Sequence, residues 1–144
     1  MKYMLTLVGP ETDWGDITPE EARQNMARWD AYTAELREAG AMVAGEGLQE
    51  SATATTVRFG AGGEPVTVDG PFAETKELVA GFWLFQTKSL AEAIEWVKRC
   101  PNPMPTDSEI EIRQIFEPED FGAEFTPELR EQEERLRKQA AANQ

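Results

Sequence analysis

Ala80-Gly81-Phe82-Trp83-Leu84-Phe85-Gln86 is the stretch on which the fold turns. Four large apolar residues in succession read as a strongly apolar strand, which must belong to a packed sheet. Three residues on, Ser89-Leu90-Ala91-Glu92 supplies a cap with a glutamate three positions later, the pattern of a capping box. The helix it opens puts Leu90, Ala93, Ile94 and Val97 on one face and stops before Pro101. Glu109 to Phe116 then alternates, with Glu109, Glu111 and Arg113 opposite Ile110, Ile112 and Phe116, so the last strand has one wet face. Strand, helix, strand is the result.

The same order occurs upstream. Tyr3 to Val8 reads as a strand with apolar residues on both faces, as expected of a strand covered on both sides. Asp13 to Ile17 reads as a loop. Thr18-Pro19-Glu20-Glu21 then combines a cap, a proline at the first helical position and a capping-box glutamate. The helix runs to about Ala39 and ends at Gly40. Ala22, Met26, Trp29, Thr33 and Leu36 form one stripe with Tyr32 beside it, and Trp29 and Tyr32 are expected in the core. Met42 to Gly47 is a short second strand. Between the two units, Ala52 to Phe59 and Pro65 to Asp69 flank Gly60-Ala61-Gly62-Gly63 and read as a hairpin. Val57 and Phe59 lie on one strand of it, Val66 and Val68 on the other, with Arg58 opposite the apolar face.

The fold class is therefore α+β: a ferredoxin-like antiparallel sheet with both main helices on one face. Two helices cover one face only. If the partner residues face the helices, Met4, Val8, Trp83 and Phe85 face away, and exposed they would form a large apolar patch. A second copy laid on the same face would cover it, which predicts a homodimer.

Composition narrows the function. The net charge is −13 with no basic run, which disfavours direct contact with nucleic acid and with anionic membranes. No apolar run is long enough to span a bilayer, and the start of the chain is too brief for a signal-peptide core, so a cytoplasmic location is expected. Histidine is absent, which removes Ser-His-Asp, Cys-His and histidine-metal chemistry. No metal site or cofactor is expected. Cys100 ends the second helix and reads as a small buried side chain. Lys98 and Arg99 beside it leave the alternative of a reactive thiol.

The most distinctive chemistry is Val68-Asp69-Gly70-Pro71-Phe72-Ala73-Glu74-Thr75-Lys76-Glu77. One reading is a rigid turn: Gly70 permits positive φ, Pro71 fixes the next φ, and Asp69 accepts from backbone N–H groups two residues on. The other gives the turn a second task. Asp69, Glu74 and Lys76 then stand at the mouth of a pocket lined by Phe72 and Trp83. Asp69 or Glu74 serves as a general base if an apolar wall raises its pKa, and Lys76 holds an anionic ligand or pairs with Glu74. Arg58 pairs with Asp69 or Glu46, lines the same pocket, or is simply solvated. A small carboxylated or aromatic ligand suits such a site. These residues do not decide between binding and catalysis.

Asp69-Gly70-Pro71-Phe72, followed by Ala73-Glu74-Thr75-Lys76-Glu77, resembles the signature of DGPF-domain proteins within the YCII-related group. Met1 to Leu5, Ala44 to Leu48, Ala52 to Arg58 and Gly81-Phe82-Trp83 resemble the same family. The resemblance spans residues 1–116. It implies a dimeric α+β barrel. It also implies, for some relatives, an enzyme with a His-Asp pair, which has no counterpart in a chain without histidine. A link to extracytoplasmic-function sigma factors is implied too, making a regulatory protein-interaction module the alternative function. Residues 117–144 form an acidic, partly helical extension in which Thr126-Pro127 starts a helix carrying Leu129 and Leu136. It reads as an exposed helix, a dimer clasp or a frayed tail.

Overall fold

Thr18 opens the first helix through reciprocal hydrogen bonds. The Glu21 N–H donates to Thr18 Oγ1 at 3.2 Å, and the Thr18 N–H donates to Glu21 Oε2 at 2.9 Å. These bonds favour the charged carboxylate and hold the Glu21 pKa below its ordinary value. The structure is a computed structural model and describes residues 1–10, 17–60, 62, 64–69, 78–103 and 107–142. The expected loop from Asp13 lies largely outside these residues. Helix α1 spans Pro19–Glu38, and Gly40 follows at φ 66°, a left-handed position open to glycine. Helix α2 spans Leu90–Lys98. Its cap is one-sided. Ser89 Oγ accepts from the Glu92 N–H, whereas the Glu92 carboxylate accepts from the Lys88 N–H.

Among the described residues the chain forms two compact units, Met1–Gln114 and Ile115–Gln144. The first unit holds an antiparallel four-stranded sheet in the order β2-β5-β1-β6, built from β1 (Lys2–Gly9), β2 (Met42–Gly47), β5 (Leu78–Gln86) and β6 (Glu109–Gln114). With α1 between β1 and β2, and α2 between β5 and β6, this is a ferredoxin-like α+β fold. Among the described residues, strands β3 (Thr55–Arg58) and β4 (Val66–Asp69) pair only with each other, as an inserted hairpin.

The core lies on one face of the sheet. Tyr3, Leu5, Phe85, Tyr32, Leu36, Ala41 and Ala93 are buried there, with Trp29, Trp83, Trp96, Val97, Ile110 and Ile112 packed against them. The Tyr32 hydroxyl donates to the Trp96 carbonyl at 2.9 Å, tying α1 to α2, and burial raises its pKa. Arg99, the residue that caps the C-terminus of α2, makes an ion pair with Glu35 on α1.

Register corrects the expected facing of the central strand. Tyr3 is opposite Phe85 and Leu5 opposite Trp83. Directly opposed residues share a face. Trp83 and Phe85 therefore face the helices, and the residues turned away are Phe82 and Leu84, opposite Thr6 and Met4. An uninterrupted apolar run contains no alternation from which to read this.

Other expectations shift locally. Met26 is 66% exposed, because the core contacts of α1 come from its later turns, through Trp29, Tyr32 and Leu36. Leu90 is exposed as well. Residues Ser51–Thr53 form a 3-10 turn instead of extending the hairpin, with the Thr53 hydroxyl donating to the Glu50 carbonyl. Strand β4 begins after Pro65, which has no N–H for the ladder. In the hairpin, Val57 is opposite Thr67, while Val66 and Val68 are opposite Arg58 and Thr56. Its apolar residues are therefore divided between both faces, and Arg58 shares a face with Val66 and Val68. A register offset of one residue produces this exchange.

In the second unit, a 3-10 stretch over Pro118–Glu124 precedes α3, Pro127–Ala142. Phe121 stacks between Phe116 and Phe125 at 5.4 and 5.6 Å. The Arg130 guanidinium sits over Phe125 and pairs with Glu119. Along α3, Glu133 pairs with Arg137, and Leu129 and Leu136 are exposed.

Candidate functional site

The acidic motif is anchored at both ends in described strands. Asp69 is the last residue of β4, opposite Thr55, and Leu78 is the first residue of β5, opposite Gly9. Gly70, Pro71, Phe72, Glu74 and Lys76 lie outside the described residues. Arg58 is exposed at the end of β3. It and Asp69 occupy opposite ends of the four-residue ladder, about 10 Å apart along the strands. Among the described residues, no ion pair joins Arg58 to Glu46, which lies opposite Phe82 in the larger sheet.

Trp83, expected as a pocket wall, belongs to the aromatic layer under α1. Its ring centroid is 5.7 Å from that of Trp29 and 6.4 Å from that of Phe85. The indole lies over β2, where Gly45 leaves room for it, and Gly81 lets the β2 and β5 backbones approach closely. A Cβ built at Gly45 would stand 2.3 Å from Trp83 Cδ1. One built at Gly81 would stand 2.8 Å from the Glu46 carbonyl oxygen. Glycine inside an apolar strand is itself a signal of close approach.

The opposite face of the sheet is the one that α1 and α2 do not cover. Met4, Val8, Val79, Phe82 and Leu84 share it, as the cross-strand pairs Met4–Leu84, Val8–Val79 and Thr6–Phe82 show. A register shift beside Val8 leaves Ala80 extra on β5 and brings Val79 to this face. Met4 and Val79 are exposed, while Val8, Phe82 and Leu84 are half-buried. Lys2, Glu46, Glu109, Glu111 and Arg113 ring this apolar centre. An apolar middle with a charged rim is the anatomy of a contact surface.

Cys100 is half-buried beyond α2, with Sγ 3.1 Å from the Pro101 carbonyl oxygen. Burial pushes its thiol up from 9.0 to about 11, the opposite of the shift that activates a nucleophile. Alkylation at pH 8 is expected to run at least about tenfold slower than for a free cysteine, measured with iodoacetamide on the folded protein. The neutral thiol is the form that the fold favours. Its contribution to stability is complete below pH 9 and is lost as pH rises towards 11.

No helix among the described residues is long and apolar enough to cross a membrane. Residues 1–119 match the model of the YCII-related domain. An uncharacterised protein of Rhizobium meliloti (strain 1021) is 32% identical over 115 residues, which cover 80% of this chain and 92% of that protein. The matched span contains the whole four-stranded sheet, both packed helices, the inserted hairpin and the acidic motif. On this match and this fold, the chain belongs to the YCII-related domain family.

Proposed function

We propose that this protein is a homodimer that binds a small anionic or aromatic ligand in a sheet-lined pocket beside the Asp69–Glu77 turn. The observation that carries the reading is the open sheet face, where Met4, Val8, Val79, Phe82 and Leu84 lie within a charged rim. A second copy on this face would bury the apolar centre and complete a barrel of two sheets. Space left between the sheets would be apolar with a few polar groups, the usual lining of a ligand pocket. Asp69 and Glu74 are the acid–base groups for catalysis there. Lys76 and Arg58 provide positive charge for an anionic ligand, Gly70 and Pro71 shape the turn, and Phe72 supplies aromatic surface near it, whereas Trp83 lies on the helix-covered face and takes no part in this pocket.

The test has two arms. Light scattering at micromolar concentration should give a dimer. Leu84→Arg should raise the dimer dissociation constant at least about a hundredfold, because it places an unpaired charge in the interface, with the circular dichroism spectrum unchanged. A compact wild-type monomer would refute the dimer. In the second arm, a thermal-shift screen of small aromatic carboxylates should yield a stabilising ligand, and Asp69→Asn should abolish that shift while the protein stays folded. If Asp69→Asn unfolds the protein instead, Asp69 is a turn residue and the site loses its support.

A second reading, regulatory contact with an extracytoplasmic-function sigma factor, draws on the exposed Phe116, Phe121 and Leu136. Deleting residues 117–144 separates the two, since it should abolish such a contact and leave ligand binding intact.

A further inference from the structure

The inserted hairpin does not resemble a solvated turn. Six of its eight strand residues are β-branched: Thr55, Thr56, Val57, Val66, Thr67 and Val68. Apolar residues stand on both of its faces, since Val57 lies opposite Thr67 while Val66 and Val68 lie opposite Arg58 and Thr56. Two-sided patterning of this kind belongs to strands covered on both sides. Yet Val57 is 48%, Val66 59% and the following Phe59 80% exposed. The hairpin joins neither edge of the four-stranded sheet, and two strands alone are at best marginally stable in water. It needs a surface to lie on.

We infer that the β3–β4 hairpin is an arm that packs on a second copy of this chain, along the rim of that copy's open sheet face. The inference rests on the dimer proposed above and adds a part that the sheet-on-sheet contact lacks. Four strands about 4.8 Å apart and six to nine residues long present a flat footprint of roughly 400–600 Å². A stable interface takes about 800 Å² from each partner. The hairpin adds area to that contact, and its exposed Val57, Phe59 and Val66 add the apolar surface that it requires. Charge agrees with this placement. The rim carries Glu46, Glu109 and Glu111 against Lys2 and Arg113, an excess of acid that Arg58 on the arm complements.

The experiment installs a benzophenone amino acid in place of Phe59 and irradiates the full-length protein. The expected result is a covalent dimer, with the cross-linked peptide mapping to β1, β2, β5 or β6 of the other copy. In parallel, the double variant Phe59→Ser and Val66→Ser should raise the dimer dissociation constant at least about tenfold with the fold retained. Cross-links confined to one chain, or a double variant that dimerises like the wild type, would overturn the arm while leaving the sheet-on-sheet dimer standing. A wild-type protein that stays monomeric would overturn both. Should the double variant unfold, the cross-linking result alone decides.

Discussion

Phe85→Ala is expected to cost about 3–5 kcal/mol of folding stability, the usual range for deleting a fully buried phenylalanine ring. Phe85 has no exposed surface. It lies opposite Tyr3 on β1 and Met42 on β2 and stacks on Trp83, so the cavity would open at the junction of three strands and the helix layer. Rigid strands on both sides limit collapse into the void, which favours the upper part of the range. Domains of this size are stable by about 5–15 kcal/mol, so about a fifth or more of the margin is at stake. A fall in melting temperature of more than about 10 °C at fixed protein concentration is the measurable consequence. A loss below about 1 kcal/mol would mean that Phe85 is not the centre of the core.

Gly45→Ala is expected to cost about 2–3 kcal/mol for the opposite reason, overpacking. The added methyl would stand 2.3 Å from Trp83 Cδ1, 2.9 Å from Met42 Cε and 3.2 Å from the Phe82 carbonyl oxygen. The methionine tip can swing aside. The indole is held between Trp29 and Phe85 and cannot do so without disturbing both. A double-mutant cycle isolates this contact. In a Trp83→Ala background the penalty at Gly45 should shrink by more than about 1 kcal/mol, and chemical denaturation of the four proteins measures the coupling. Additive effects would show that the ring is not the obstacle.

The two substitutions differ in how far sequence alone foresaw them. Phe85 was recognised as apolar but assigned to the outer face. The packing role of Gly45 has no local signal, because it depends on a ring 38 positions away. The candidate site divides in the same manner. Asp69, Glu74 and Lys76 stand out as charged residues around a glycine–proline pair, and the family match covers them. That Trp83 faces the helix layer, and that Arg58 and Asp69 end opposite strands of one ladder, follows only from pairing between distant segments.

Local chemistry was legible wherever cause and effect lie within a few residues. Thr18 and Glu21 cap each other across three positions, Gly40 takes the left-handed turn that ends α1, and Glu109 to Gln114 alternates with its wet face outward. The order of elements and the α+β class follow from such signals. The faces of Phe82, Trp83, Leu84 and Phe85 do not, since four apolar neighbours have no period and either facing satisfies the pattern equally. Tertiary structure decided it: Tyr3 and Leu5 bring Phe85 and Trp83 onto the side where Trp29, Tyr32 and Leu36 arrive from α1. Burial is a property of pairs of segments, so which residues line the open face of the sheet, and the exposure of the hairpin, emerge only once the strands are in register.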